Sequence, residues 1–199
     1  MKLRDTWTPE QIDALFAGLG SKTPRVRYGA AKALRVVSEQ APELLYPRWD
    51  ALARLLENDN AFLRWGSTQI LGNLAVVDRE DRFEPMLDRF LAPIMGQEMI
   101  GAANAIAAAA NYALAKPHLA DRIVKEILKS ERAAYKTPEC RNVAIGHAIT
   151  ALDKMLGQVK NRRAVLAFVK RQTENSRAAT RKKAEKFLKR WGALTSARS

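Results

Sequence analysis

Val26-Arg27-Tyr28-Gly29-Ala30-Ala31-Lys32-Ala33-Leu34 decides the reading of this chain, because its pattern returns. Leu63-Arg64-Trp65-Gly66 repeats the order aliphatic, Arg, large aromatic, Gly at an offset of 37 residues, and Leu71 then stands where Leu34 stood. Thr180-Arg181 opens another copy, with Ala184, Lys186 and Leu188 in the places of Ala30, Lys32 and Leu34. Arg141 holds the same place ahead of Ala144 and Ile145. A fifth copy starts near Met99, where Gly101-Ala102-Ala103 replaces the arginine-containing phrase. Periods of about 37 to 40 residues mean stacked helical hairpins, because one hairpin cannot bury its apolar stripe alone.

The stretches between the phrases also read as helices. Thr8 with Gln11 three residues on forms a capping box ahead of Pro9–Leu19, and Pro24–Glu39 follows Thr23. Leu44–Leu56 has apolar residues at helical spacing, with a bend expected at Pro47. Ala61–Val76, Phe83–Ile94, Gln97–Ala115, Pro117–Lys129, Pro138–Leu156, Arg162–Thr173 and Arg177–Trp191 complete about ten helices with short connectors. The alanine-rich helix, Ala102–Ala115, suits the middle of a stack, since small side chains let neighbours approach and alanine favours helix.

The phrase aliphatic-Arg-x-x-Ala-x-x-x-Leu of Val26–Leu34 resembles the first helix of a HEAT repeat. Leu45-Tyr46-Pro47, Arg64-Trp65-Gly66 and Asn73–Asp78 resemble a group of small bacterial HEAT-repeat proteins of unassigned function. The resemblance implies an all-α fold: an α-solenoid of about five hairpins in a right-handed superhelix. The expected organisation is a single domain, 1–199, with flexible ends at 1–6 and 193–199.

Composition narrows the chemistry. A single cysteine, Cys140, excludes an internal disulfide and a cysteine-based zinc site, and only two histidines, His118 and His147, are present. No cofactor motif, phosphate-cradling Gly-rich loop or nucleophile elbow occurs, so no cofactor, metal or small-molecule substrate is expected. Met1–Glu10 lacks the apolar core of a signal peptide, and Met99–Leu114 is too short and too weakly apolar to span a bilayer. A cytoplasmic protein without membrane partners is the expectation.

Charge supplies the strongest functional signal. Residues 158–199 carry thirteen Lys or Arg against two acids, Glu174 and Glu185, so +11 of the chain's +13 lies there. On Arg177–Trp191 the residues Ala184, Phe187, Leu188 and Trp191 form an apolar face, leaving Arg177, Arg181, Lys182, Lys183, Lys186, Lys189 and Arg190 as cations. On the preceding helix Val165, Phe168 and Val169 face inward, and Arg162, Arg163, Lys170 and Arg171 lie off that stripe. A terminal repeat needs a polar outer face, but a merely solubilising face would mix Glu with Lys. The expected partner is therefore nucleic acid or another polyanion, the alternative being an acidic protein surface.

Four further sites offer weaker signals. Tyr28 and Trp65 recur at one repeat position and could stack bases, but their aliphatic and Gly neighbours point to packing between hairpins. Asn104 and Asn111 share a helix face and, by resemblance to armadillo proteins, could hold an extended peptide; bridging helices or facing water is the simpler role. Alkylpurine DNA glycosylases are also basic HEAT-type solenoids, and they use aromatics and a carboxylate without a metal. Trp49-Asp50 is the nearest counterpart here, yet their catalytic phrase does not map residue by residue onto this chain, so the expectation is non-enzymatic. Cys140 and His147 are one residue short of two turns apart, and a catalytic pair would need closer approach and an orienting third group.

Overall fold

The structure, a computed structural model, describes residues 7–192; the stretches 1–6 and 193–199, expected as flexible ends, lie outside them. Among the described residues there are ten α-helices and no strand: α1 Pro9–Leu19, α2 Pro24–Gln40, α3 Trp49–Arg54, α4 Ala61–Asn73, α5 Leu87–Leu91, α6 Met99–Ala115, α7 Ala120–Leu128, α8 Pro138–Met155, α9 Arg162–Arg171 and α10 Ala178–Trp191. The fold is all-α.

The even-numbered helices run unbroken, whereas several odd-numbered ones are shorter than the apolar spacing predicts. Proline is the reason. Three-residue 3-10 turns at Tyr46–Arg48, Glu84–Met86 and Pro117–Leu119 precede α3, α5 and α7, and Ala92–Met95 follows α5. Each holds a proline: at 47, 85 and 93 its missing N–H and fixed φ resist a continuous α-helix, whereas Pro117 opens its turn, where proline is tolerated. Helix starts follow side-chain chemistry. The Thr8–Gln11 capping box forms in both directions, and Thr137 Oγ1 accepts the Cys140 N–H at 3.1 Å. Asn60 Oδ1 accepts from the N–H of Phe62 at 3.0 Å.

The phrase arginine does the same work in three copies. Arg27 Nη1 donates to Ser21 O at 3.2 Å, Arg64 Nη1 to Asn58 O at 2.7 Å, and Arg181 Nη1 to Asn175 O at 2.7 Å. Arg64 and Arg181 also reach the next carbonyl, Asp59 O at 3.0 Å and Ser176 O at 2.9 Å. The acceptor residue closes its own turn each time: Ser21 Oγ, Asn58 Oδ1 and Asn175 Oδ1 accept the N–H two residues on, from Thr23, Asn60 and Arg177. The arginine thus clamps a polar turn that enters the even-numbered helix.

The chain divides into two compact units between Phe90 and Leu91. In the first, α1 and α4 both pack on α2, and α3 packs on α4. Leu34, Val37, Leu45, Leu52, Leu71 and Leu74 are fully buried there. In the second, α8 packs between α6 and α10, with α7 against α6 and α8, and α9 against α7 and α10. Ala102, Ala105, Ala109 and Ala113 of α6 are fully buried, which is how a helix of small residues sits closely against α8. Gly146 matters for a similar reason: a Cβ there would lie 3.0 Å from Thr180 Oγ1 of α10. The alanine-rich helix, expected in the middle of a stack, is not buried all round: Ala107 faces outward and is exposed, because it lies off the buried stripe of α6. Leu188, expected on the apolar face of α10, is half-buried at its flank.

Candidate polyanion interface

The last hairpin, α9 and α10, buries Val165, Phe168 and Val169 from one helix and Thr180, Ala184 and Phe187 from the other. Leu188 and Trp191 extend that stripe only half-buried. The eleven cations expected as one site separate by partner into three sets.

Three are committed to carboxylates of the preceding hairpin. Arg171 bridges Glu131 through Nε at 3.0 Å and Nη2 at 2.7 Å, and Gln172 Nε2 also donates to Glu131. These hydrogen bonds, Arg171's first, hold the Glu131 carboxyl below the usual range. Arg177 pairs with Glu139. Arg190 pairs with Asp153 at 3.0 Å, and Trp191 Nε1 donates to the same carboxylate at 2.6 Å. The first unit shows the same direction in Asp13–Arg48, Asp50–Arg82 and Glu57–Arg89. In all six pairs the acid belongs to the earlier hairpin and the arginine to the later one. Each exposed pair is worth little alone.

Three more serve the backbone. Arg162 donates to Val159 O at 3.1 Å and Gly157 O at 3.3 Å, Arg181 clamps its turn, and Lys183 Nζ donates to Gly146 O at 2.9 Å. Partial burial, and then the Arg177 charge, lower the Lys183 pKa.

The remaining five, Arg163, Lys170, Lys182, Lys186 and Lys189, are exposed and engage no partner among the described residues. Lys182, Lys186 and Lys189 stand at i, i+4 and i+7, one stripe turned away from Thr180, Ala184 and Phe187. Arg163 and Lys170, seven apart, form the matching stripe on α9. Sequence spacing alone could not separate these five from the six engaged cations, because the engaging groups lie up to 40 residues away.

The other candidate sites engage local partners or stay apart from one another. Tyr28 meets Phe62 edge-on, with centroids 4.8 Å apart, and its hydroxyl accepts from Asn60 Nδ2 at 3.0 Å. Trp65 is half-buried. Asn104 Nδ2 donates to Ile100 O at 3.0 Å in its own helix, and Asn111 Oδ1 accepts from Lys154 Nζ at 2.7 Å. Trp49 is buried, and exposed Asp50 pairs with Arg82 at 2.8 Å. Cys140 packs on a small apolar cluster of Ala102, Ala133, Tyr135 and Ala144, whereas His147 is exposed. Among the described residues no cluster of three or more His, Cys, Asp or Glu could hold a metal, and no helix is long and apolar enough to cross a membrane.

No family model and no curated protein sequence matches the chain. A crystal structure of an engineered protein, a Northeast Structural Genomics Consortium target, is similar in fold. Its TM-score is 0.58 at 15% identity, over 92% of this chain and 80% of that one. At that identity the likeness concerns the helical fold alone.

Proposed function

We propose that this protein is a non-enzymatic, HEAT-like binding protein of the cytoplasm that takes a polyanion, nucleic acid foremost, on the outward faces of α9 and α10. The observation that carries the reading is the five cations left unengaged there: Arg163, Lys170, Lys182, Lys186 and Lys189. Cations needed by the fold find carboxylates or carbonyls, and these five instead keep their charge in water. Phosphates require only charge and donors at this permissive spacing, so binding is weak and sequence-tolerant. The recurring arginine clamps support the HEAT-like reading.

The test is an electrophoretic mobility shift at low ionic strength with DNA duplex, RNA and an acidic protein as control. If about five phosphates are neutralised on a duplex, log K falls against log salt with a slope near −4.5, at roughly 0.9 per phosphate. Lys182→Glu, Lys186→Glu and Lys189→Glu together abolish the shift while leaving the helical circular dichroism unchanged. No salt-sensitive binding to DNA or RNA overturns the reading, and binding to the acidic protein alone replaces the partner with a protein.

A further inference from the structure

Helices α2 and α4 of the first unit run side by side in the same direction, and their cross-contacts fix a register. The Tyr28 and Phe62 rings meet edge-on at 4.8 Å, Arg35 Nη1 donates to Gln69 Oε1 at 3.3 Å, and Asn73 Nδ2 donates to Ser38 Oγ at 2.9 Å. The first two contacts share an offset of 34 residues, and both helices advance two turns between them. The same offset sets Lys32 opposite Gly66, one turn beyond the rings and one turn short of the Arg35–Gln69 bridge.

This rung between the two helices is open. Gly66 stands inside α4, where glycine weakens a helix relative to alanine. Its φ is not positive, and a Cβ built on it would meet nothing within 4 Å, so neither a turn nor close packing accounts for glycine there. Lys32 is exposed and engages no partner among the described residues. Above the gap, Phe62 is 47% exposed, against 1% for Phe83 and Phe90 of the same unit, so its ring is available to a partner. Tyr28 backs that ring and is itself held, since its hydroxyl accepts from Asn60 Nδ2 at 3.0 Å. Helix α4 has no acid, and the acid of α2, Glu39, lies 3.9 Å from Arg35. Ahead of the rings, exposed Asp59 stands level with exposed Arg25, which leaves Lys32 as the uncompensated charge at the gap. The gap is thus a notch with an aromatic wall, a lysine on one side and bare helix backbone on the other.

We infer that the α2–α4 notch takes one unpaired nucleotide of a single-stranded nucleic acid, its base lying on Phe62 and its phosphate pairing with Lys32 over Gly66. The rise from the ring pair to the open rung is about 6 Å, four residues at 1.5 Å each, comparable to the separation of base from phosphate within one nucleotide. An aromatic face beside a cation is the combination that holds a strand without reading its sequence, because every base has a π-face. The site shares the partner class of the reading above but not its surface. It lies in the first unit and needs an exposed base, which a duplex keeps inside its stack.

The experiment is fluorescence anisotropy with a short labelled oligothymidylate and an abasic strand of the same length. Both are titrated into the wild type and into the Lys182→Glu, Lys186→Glu, Lys189→Glu variant, whose changes leave the first unit intact. The oligothymidylate is expected to bind both proteins. The abasic strand binds the triple variant about fivefold or more weakly, the value of one stacked base, and Phe62→Ala in that background erases the difference between the strands. Lys32→Gln lowers the salt slope for the single strand by about 0.7. Gly66→Leu fills the notch and weakens strand binding without lowering the urea midpoint, because its Cβ has room and leucine favours helix. An abasic strand that binds as tightly as the oligothymidylate, or strand binding indifferent to Phe62→Ala and Gly66→Leu, overturns the notch whatever the duplex does. A Glu/Tyr copolymer that binds through Phe62 where the strand does not also overturns it, and gives the notch to an acidic protein. Strand binding at the notch without any duplex binding overturns the α9–α10 reading alone.

Discussion

Arg181 and Lys182 are adjacent cations with opposite expected roles, and replacing each by alanine separates fold from charge. Arg181 Nη1 donates to Asn175 O at 2.7 Å and Ser176 O at 2.9 Å, and Asn175 is itself buried. Hydrogen bonds from a charged group contribute about 1.5–3 kcal/mol when sheltered. Here the guanidinium is half-exposed and one nitrogen serves both carbonyls, so the lower end applies. Arg181→Ala is expected to cost about 2 kcal/mol through loss of the clamp and a less ordered entry into α10. With an m-value of about 2 kcal/mol/M, the urea midpoint should fall by about 1 M. Lys182→Ala removes the same charge from an exposed, unengaged position and should stay within about 0.5 kcal/mol. In duplex binding the order reverses: Lys182→Ala lowers affinity and salt slope, whereas Arg181→Ala affects binding only where it unfolds the hairpin. Urea denaturation followed by circular dichroism, beside mobility shift, reads both. Equal destabilisation by the two variants would refute the clamp.

Leu71→Ala should cost about 2–5 kcal/mol, because Leu71 is fully buried, and Leu188→Ala should cost less, because Leu188 keeps part of its surface in water; urea midpoints check both. Ala109→Leu should destabilise by roughly 1–3 kcal/mol through overpacking against α8, while Ala107→Leu on the exposed side should be near neutral. Tyr135, whose hydroxyl donates to Ile94 O at 2.6 Å, has its pKa pushed up to about 12 by burial. Because the folded value is the raised one, its contribution is intact below pH 10 and is lost as pH climbs towards 12, about 3 kcal/mol in all at 1.36 kcal/mol per unit. The stability difference between wild type and Tyr135→Phe should therefore shrink through that window.

The helical class and the local caps were legible in residue order, because each depends on neighbours within a few positions. Thr8 with Gln11 forms its box, and Leu34 and Leu71 are buried where the repeat places them. The proline breaks were legible only in part: a bend at Pro47 was expected and Pro117 stood as the first residue of its helix, but Pro85 and Pro93 fell inside the expected helix Phe83–Ile94. The basic concentration beyond residue 158 was equally plain, since charge needs no fold to be counted. What tertiary structure decided was the use of each charge. Arg171, Arg177 and Arg190 meet acids that lie 37 to 40 residues earlier, and Lys154 meets an amide 43 residues earlier on α6. Such partners are brought together only when hairpins pack, so eleven cations that look equivalent along the chain become six that hold the fold and five that face water. Ala107 and Leu188 show the same limit in the core, where helical spacing defines a face but the neighbouring helices determine how far around the helix burial extends.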